Sequence, residues 1–263
     1  MVPIAPEHEP GVFDLPLRAL SLSDPLRWLA AGWRDFRRCP AIGLFFGACF
    51  AAMGWMLMKV FEAAPATTLA LSAGFLLMGP FLCMGLYDAS ARLARGERPT
   101  LARSLAAWRT RTGALGIFGF VLLVLEMLWG RASLVVFAVS FDGMPDFHGS
   151  LLALLSIDNA GFIVAWLAVG GVYATLIYGV SVIAIPMILD RRTDAITAAL
   201  LSLRLVLTQP LVMAAWAALI AGIVLASLLP AFLGLLVSAP VLGHASWHAY
   251  RSALDADPLE GRP

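Results

Sequence analysis

Charged residues are scarce in this chain of 263 residues: 13% are charged, 60% are hydrophobic, and the mean hydropathy is +0.86. Soluble domains are about one quarter charged. The sequence therefore has too little polar surface for a water-soluble enzyme. The net charge of +1 gives no electrostatic reason to expect nucleic acid as a partner.

Residues and motifs for covalent or redox chemistry are also rare. The three cysteines, Cys39, Cys49 and Cys83, are isolated and have no metal-finger spacing. We expect them to be reduced and to form no disulfides. GxSxG, Walker and dinucleotide-binding glycine motifs are absent from the sequence. No catalytic residue and no cofactor is predicted.

The chain also lacks a basic segment leading into a short apolar core, which a cleaved signal peptide would need. Residues 1–22 carry several acids and prolines, with Arg18 as the one lysine or arginine. This composition predicts a disordered cytoplasmic tail over 1–22. A second short cytoplasmic tail is predicted over 251–263.

Long apolar runs dominate the rest of the sequence. A helix needs about 20 apolar residues to cross a bilayer. Residues 23–250 are predicted to form a single domain whose six spans lie near 41–60, 68–89, 114–139, 162–187, 211–228 and 232–249. The last two come from one run that is interrupted by Pro230 and Pro240, so five spans with one long kinked helix is the alternative.

The positions of the basic residues predict an orientation. Sixteen of the 18 basic residues lie before span one, between spans two and three, between spans four and five, or after span six. The other two, Lys59 and Arg131, lie toward the opposite side, whose loops carry Glu62, Asp142, Asp146 and Asp158. Cytoplasmic loops collect lysine and arginine. Both termini are therefore predicted to be cytoplasmic.

Three segments that precede pairs of spans are predicted to form amphipathic helices. They begin at Asp24-Pro25, Pro99-Thr100 and Thr193-Asp194, and each combines basic residues with an apolar stripe. The stripes are Leu26, Leu29, Trp33 and Phe36; Leu101, Leu105 and Trp108; and Ile196, Leu200, Leu203 and Leu207. The predicted fold is an all-α membrane protein of three hairpins, each preceded by a cytoplasmic interfacial helix.

Small residues recur at every fourth position in three of the spans, which is typical of helix contacts in lipid. They are Gly43, Gly47 and Ala51 in span one, Gly171, Thr175 and Gly179 in span four, and Ala214, Ala218 and Gly222 in span five. Packing within the bundle is the first interpretation, and a face for a second copy of the chain is the alternative.

Glu126 is predicted to lie about 18 Å into the hydrocarbon core, because each helical residue rises about 1.5 Å. Such an acid either has a role with a substrate or proton, or is protonated and hydrogen-bonded to another helix. Arg131 points roughly 140° away and is expected to reach the outer interface. Tyr178 and Ser181 could line a path with Glu126, or bond within their own helix.

His244 and His248 are four residues apart and therefore share a helix face. They could bind a metal or haem, with Asp88 as a third ligand, or contact the backbone and lipid headgroups. The segment lacks the glutamate of the zincin motif. We therefore do not predict a metal site at these residues.

Several short motifs resemble a known family. They are Ser23-Asp24-Pro25, Trp33-Arg34-Asp35-Phe36, Gly79-Pro80, Gly85-Leu86-Tyr87 and Gly96-Glu97-Arg98-Pro99. The sequence is similar to the bacterial predicted integral membrane proteins with domain of unknown function 2189. The resemblance implies a multi-span protein of a bacterial inner membrane without an established function.

These observations favour a non-enzymatic accessory, scaffold or assembly factor. The alternatives are a carrier or channel for small solutes or ions that uses Glu126, and a metal-dependent intramembrane enzyme that uses the two histidines. The expected partners are the bilayer, including anionic headgroups at the cytoplasmic face, and another membrane protein or a second copy. A cavity at Glu126 would favour the carrier, whereas a well-packed bundle would favour the scaffold.

Overall fold

The computed structural model describes residues 17–63, 65–140 and 159–254, with side chains except at 61–77. These residues form helices α1 (Asp24–Arg38), α2 (Pro40–Ala63), α3 (Pro65–Ala94), α4 (Leu101–Leu105), α5 (Thr112–Ser140), α6 (Ala160–Ser181), α7 (Ala184–Asp190), α8 (Ala195–Thr208), α9 (Pro210–Leu228) and α10 (Leu235–Ala253). Within this part of the chain, β-pairing is limited to one isolated bridge, between Leu17 and Leu254. The all-helical prediction is confirmed.

Four helical segments are long and apolar enough to cross a membrane. They are Pro40–Val60, Thr112–Ser140, Ala160–Asp190 and Pro210–Leu228. Each overlaps one of the predicted spans, and together they agree with an integral membrane protein. Their apolar residues face outward to a large extent, as Phe120, Val139 and Leu211 illustrate with exposed fractions of 65%, 83% and 74%. Such surfaces require a lipid environment.

The two other predicted spans, 68–89 and 232–249, fall in α3 and α10, which are not among those four segments. The side chains in the first half of α3 lie outside the described residues. The predicted span at 68–89 therefore stays untested. Helix α10 carries His244, His248 and Arg251, which reduce its apolar character. The 211–249 run folds as two helices rather than as one kinked helix.

Helix α10 is the centre of the bundle. It packs against α1, α2, α3 and α9, and 12 of its 19 residues are buried. Close approach to α1 depends on Gly32, because a Cβ atom there would lie 2.7 Å from the Ala245 nitrogen. A Cβ at Gly47 of α2 would overlap the backbone of Leu236. Glycine is therefore required at both crossings.

The other predicted packing residues divide into two groups. Gly43 contacts Phe36, and Gly179 is buried with Leu203 beside it. Ala51 is half-buried. The remaining five are exposed within the single chain: Gly171, Thr175, Ala214, Ala218 and Gly222. Helix α9 instead buries Val212, Met213 and Trp216. The bundle therefore uses large residues of α9, not its stripe of small ones.

Helices α1 and α8, which precede spans, carry apolar surface beyond the predicted stripes. Helix α1 buries Trp28 and Gly32, whereas Leu26 and Trp33 of the predicted stripe are exposed by 62% and 45%. Helix α8 likewise buries Leu201 and exposes the predicted stripe at Ile196, Leu200 and Leu207. Both helices have a second apolar side, which packs into the bundle.

The predicted helix over 100–113 is broken. It consists of the five-residue α4 and a 3-10 turn at Ala107–Thr110. The Thr100 side chain makes no capping hydrogen bond at the start of α4, whereas Asp194 accepts hydrogen bonds from Ile196 N and Thr197 N at the start of α8. A cap stabilises the first turn of a helix, and a helix of only a few residues is marginal without it. The short, uncapped α4 therefore does not continue as a longer helix.

Part of the predicted N-terminal tail is ordered by contacts with distant segments. The backbone N–H of Arg18 donates to the Ala253 carbonyl, and that of Leu20 donates to Gln209 Oε1 at 2.7 Å. The predictions for residues 1–16, 255–263, Asp142, Asp146 and Asp158 lie outside the described residues, as does the side chain of Glu62.

Candidate functional site

A buried polar cluster joins α1, α3 and α10. The Asp35 carboxylate accepts hydrogen bonds from the Ser90 hydroxyl and from His248 Nε2, each at 2.8 Å. Ser90 Oγ also lies 2.7 Å from His244 Nδ1. Asp35, Ser90 and His244 are 5%, 1% and 0% exposed. The cluster satisfies polar groups of three helices at one point, so it stabilises their packing.

Asp35 reaches this position because it shares a face of α1 with Trp28 and Gly32. These residues are seven and three positions before Asp35, respectively, which is the spacing of one side of a helix. Trp28 packs edge-on against Trp216 with ring centroids 5.5 Å apart. In the sequence, Asp35 stands between Arg34 and Phe36 and is not part of the stripe of Leu26, Leu29, Trp33 and Phe36. The small pair Ala31-Gly32 was the signal that this face contacts another helix.

The charge of Asp35 is maintained by its neighbours. Burial alone raises the pKa of this carboxyl, but hydrogen bonds from His248 and Ser90 and the nearby imidazoles outweigh burial. The pKa of Asp35 is therefore lowered from its ordinary value. The thiol of Cys39 lies 3.2 Å from the Asp35 carbonyl oxygen. Burial and the Asp35 charge raise the pKa of Cys39 to about 11, so Cys39 is a thiol rather than a nucleophilic thiolate.

The two histidines are used by this cluster and do not share a site with Asp88. Asp88 Oδ2 is 2.8 Å from Arg92 Nε on the same helix. Within the described ranges, no group of three or more His, Cys, Asp or Glu residues could hold a metal ion. The expected alternative for the histidines was contact with backbone or headgroups. Their actual partners, Asp35 and Ser90, were not identified from the sequence.

Glu126 lies on the inner face of α5. This face also carries Leu115, Phe118 and Leu122, and Glu126 is 6% exposed. Among the described residues, no hydrogen bond or ion pair engages its carboxyl group. Arg131 is exposed on another side of the helix and does not pair with it. The structure therefore contains a buried acid without a described partner, unlike Asp35.

Tyr178 is bonded to another helix. Its hydroxyl donates to the Met213 carbonyl of α9 at 2.8 Å, which links α6 to α9. Ser181 is half-buried at the end of α6. The Thr175 hydroxyl donates to the Gly171 carbonyl of its own helix. Tyr178 thus has a contact that stabilises packing, and the predicted path from Tyr178 to Glu126 is not among the described contacts.

A cavity of about 710 Å³ opens at the end of the bundle where arginines are concentrated. Its walls come from α3, α4, the 3-10 turn, α7 and α10. It is lined by five arginines, Arg92, Arg95, Arg103, Arg111 and Arg192, and by two aspartates, Asp88 and Asp190. In the sequence, these arginines predict only the orientation of the chain in the membrane. Their convergence depends on how the segments around residues 92–111 and 190–192 fold together.

One comparison with known proteins gives a match. Residues 68–190, from α3 to the end of α7, match the family described as predicted integral membrane protein (DUF2189). No curated protein and no solved structure matches the chain. The match includes Ser90, Glu126 and most of the arginine-lined cavity, whereas Asp35, His244 and His248 lie outside it. Over residues 68–190 the chain is therefore similar to this family of predicted integral membrane proteins, in agreement with the resemblance found in the sequence.

Proposed function

We propose that this protein is a non-enzymatic accessory, scaffold or assembly factor of a bacterial inner membrane. It crosses the bilayer six times as three hairpins, and both termini lie in the cytoplasm. Helices α3 and α10 supply the two crossings beyond the four apolar segments. The arginine-rich ends of the helices mark the cytoplasmic side, because basic loops are retained there.

The two-sided character of α1 and α8 supports this arrangement. Each helix packs one apolar side into the bundle and exposes another, at Leu26 and Trp33 in α1 and at Ile196 and Leu207 in α8. A helix with these two sides suits the headgroup layer, where one side meets protein and the other meets acyl chains. Exposed Arg34 and Arg37 of α1 would contact anionic headgroups.

The observation that carries the scaffold proposal is the use of polar groups for helix packing. Asp35, Ser90, His244 and His248 bond to one another across three helices. The Ser202 hydroxyl donates to the Gly179 carbonyl at 2.7 Å, which ties α8 to α6. Groups that hold helices together in this way are not free for substrate chemistry. This favours a bundle whose role is to hold a partner or a position in the membrane.

Gentle purification from native membranes tests the proposal. We expect mass spectrometry to find a defined protein partner in near-stoichiometric amount, at a level absent from an unrelated six-span protein with the same tag. A sample without a protein partner but with a retained solute or ion would contradict the scaffold role. Terminal tags that are reachable from opposite compartments would contradict the six-span topology.

A carrier that uses Glu126 is the second candidate, because a buried carboxyl without a described partner is costly in a membrane helix. Proteoliposomes with a pH-sensitive dye inside test this function. A carrier would lose proton flux in Glu126→Gln and retain it in Glu126→Asp. Equal flux in wild type and Glu126→Gln would remove the proton role.

A further inference from the structure

We propose that the arginine-lined cavity is a binding site for a phosphate ester, either the headgroup of an anionic phospholipid or a small soluble phosphate compound. The site is independent of whether the protein is a scaffold or a carrier. Its walls are formed almost entirely by residues 87–111 and 189–192, with Trp247 of α10 as the contribution from another segment.

The lining has a net positive charge. Five arginines face two aspartates, so the formal charge of the lining is +3. Asp88 is engaged by Arg92 at 2.8 Å, and Glu97 accepts from Arg92 and Arg95. Asp190 accepts from the Tyr250 hydroxyl at 2.7 Å and from Arg251 at 3.3 Å. The nearby carboxylates therefore bond to groups other than Arg103, Arg111 and Arg192.

These three arginines make no ion pair with the residues that the structure describes. Arg103 lies on α4, Arg111 lies between the 3-10 turn and α5, and Arg192 follows α7. They approach the cavity from three elements. A tetrahedral anion with several acceptor oxygens can bond to donors from three directions, and guanidinium groups match phosphate oxygens in pairs.

Arg111 is the strongest indication of a ligand. Its Nη2 atom is buried and has no hydrogen-bond partner in the described part of the protein. A buried guanidinium N–H without an acceptor is costly. Because this arginine lines the cavity, an acceptor atom of a bound anion would satisfy it.

The remaining lining fits the organic part of a phosphate ester. Tyr87 and Trp247 are mostly buried apolar surfaces beside the arginines. The cavity volume of about 710 Å³ is in the range of small-molecule sites and leaves room for a glycerol or similar group. Phospholipid headgroups and soluble phosphate esters share this chemistry, and the experiment distinguishes them.

Native mass spectrometry of the full chain in detergent tests the proposal, with dioleoyl phosphatidylglycerol, dioleoyl phosphatidylcholine and glycerol 3-phosphate as probes. We expect one molecule of phosphatidylglycerol or of glycerol 3-phosphate to bind, with a Kd at least tenfold below that of phosphatidylcholine. Binding of the lipid alone would identify a headgroup site. Binding of glycerol 3-phosphate, with or without the lipid, would identify a site open to soluble phosphates.

Two variants connect the binding to the cavity. Arg111→Gln removes the unpaired donor, and the double variant Arg103→Gln with Arg192→Gln changes two exposed residues of the cavity lining. Each is expected to raise the Kd at least tenfold, which is the effect of losing one or two charged hydrogen bonds. The matched control is Arg18→Gln with Arg38→Gln, two exposed arginines outside the cavity, with less than a twofold change expected.

The proposal is overturned if phosphatidylglycerol binds no better than phosphatidylcholine and glycerol 3-phosphate does not bind. It is also overturned if the control variant weakens binding as much as the double cavity variant, because the attraction would then be a general property of the basic surface. Either result leaves the scaffold proposal intact, because co-purification of a protein partner measures that role separately.

Discussion

Asp35 and Glu126 are carboxyl groups buried to the same degree, 5% and 6% exposed, in opposite surroundings. Asp35 lies between three helices and accepts hydrogen bonds from Ser90 and His248. Glu126 lies on the inner face of α5, and no described residue bonds to it. Burial alone therefore does not distinguish an acid that stabilises a bundle from one available for function. The hydrogen-bond partners of the carboxyl group make this distinction.

The largest expected effect is the loss of the Asp35 carboxylate. Asp35→Ala removes both acceptor contacts and leaves His248 and Ser90 without their partner. We expect the free energy of unfolding to fall by roughly 3–5 kcal/mol, as for other broken buried pairs. Titration with sodium dodecyl sulfate in mixed micelles measures it. The control, Asp24→Ala, breaks a more exposed pair with Arg27 on the same helix and should cost about 1 kcal/mol or less. Equal losses would contradict a central role for Asp35.

A smaller loss of stability is expected on removal of the Ser90 hydroxyl, which links Asp35 to His244. Ser90→Ala should lower the free energy of unfolding by about 1–3 kcal/mol, because two buried polar atoms lose a partner. Ser140→Ala is the matched control, since the exposed Ser140 hydroxyl donates only to the Val136 carbonyl of its own helix. The control should change stability by less than about 0.5 kcal/mol. A Ser90→Ala protein as stable as wild type would show that the cluster does not depend on this link.

Replacement of Glu126 should not lower stability, in contrast to replacement of Asp35. Glu126→Leu removes a buried carboxyl group that has no described partner, so we expect stability to stay unchanged or rise by about 1 kcal/mol. The same denaturation measurement applies, and Asp35→Leu provides the contrast with a clear loss. A loss above about 1 kcal/mol in Glu126→Leu would mean that Glu126 stabilises the bundle after all.

The smallest effect is a pH dependence confined to acid conditions. Because the pKa of Asp35 is lowered in the folded protein, its stabilisation is complete above the unfolded pKa of about 3.9 and is lost as pH falls through the lower folded value. The stability difference between wild type and Asp35→Asn should therefore shrink below about pH 4. Denaturation curves for both proteins between pH 3 and 6 measure it. A difference that grows toward acid pH would contradict the sign of the shift.

Composition, helix-breaking prolines and capping residues predicted much of the helical content. The four apolar segments follow from runs of about 20 apolar residues, which are a local property of the chain. The break in the 211–249 run was expected near 228–232, and the turn between α9 and α10 includes Ala231 and Phe232 with left-handed φ of 49° and 66°. Asp194 was identified as a helix start, and it caps α8.

The candidate sites were less predictable because they depend on contacts between distant segments. His244 and His248 were singled out, but Asp35 is 213 residues from His248, and no periodicity links the two. The stripe of α9 had the spacing of a packing face, yet the bundle packs Met213 and Trp216 instead. Spacing defines the faces of a helix, but the positions of neighbouring helices decide which face is buried.

The sequence by itself determined that this chain is helical and belongs in a membrane, since hydropathy is summed over neighbouring residues and needs no tertiary contacts. Only the tertiary structure decided which polar groups meet. It brings Asp35, Ser90 and the two histidines together around α10, leaves Glu126 without a described partner, and gathers five arginines around one cavity. The physical reason is that hydrogen bonds and charge pairs act over a few ångströms, and only folding brings distant residues that close.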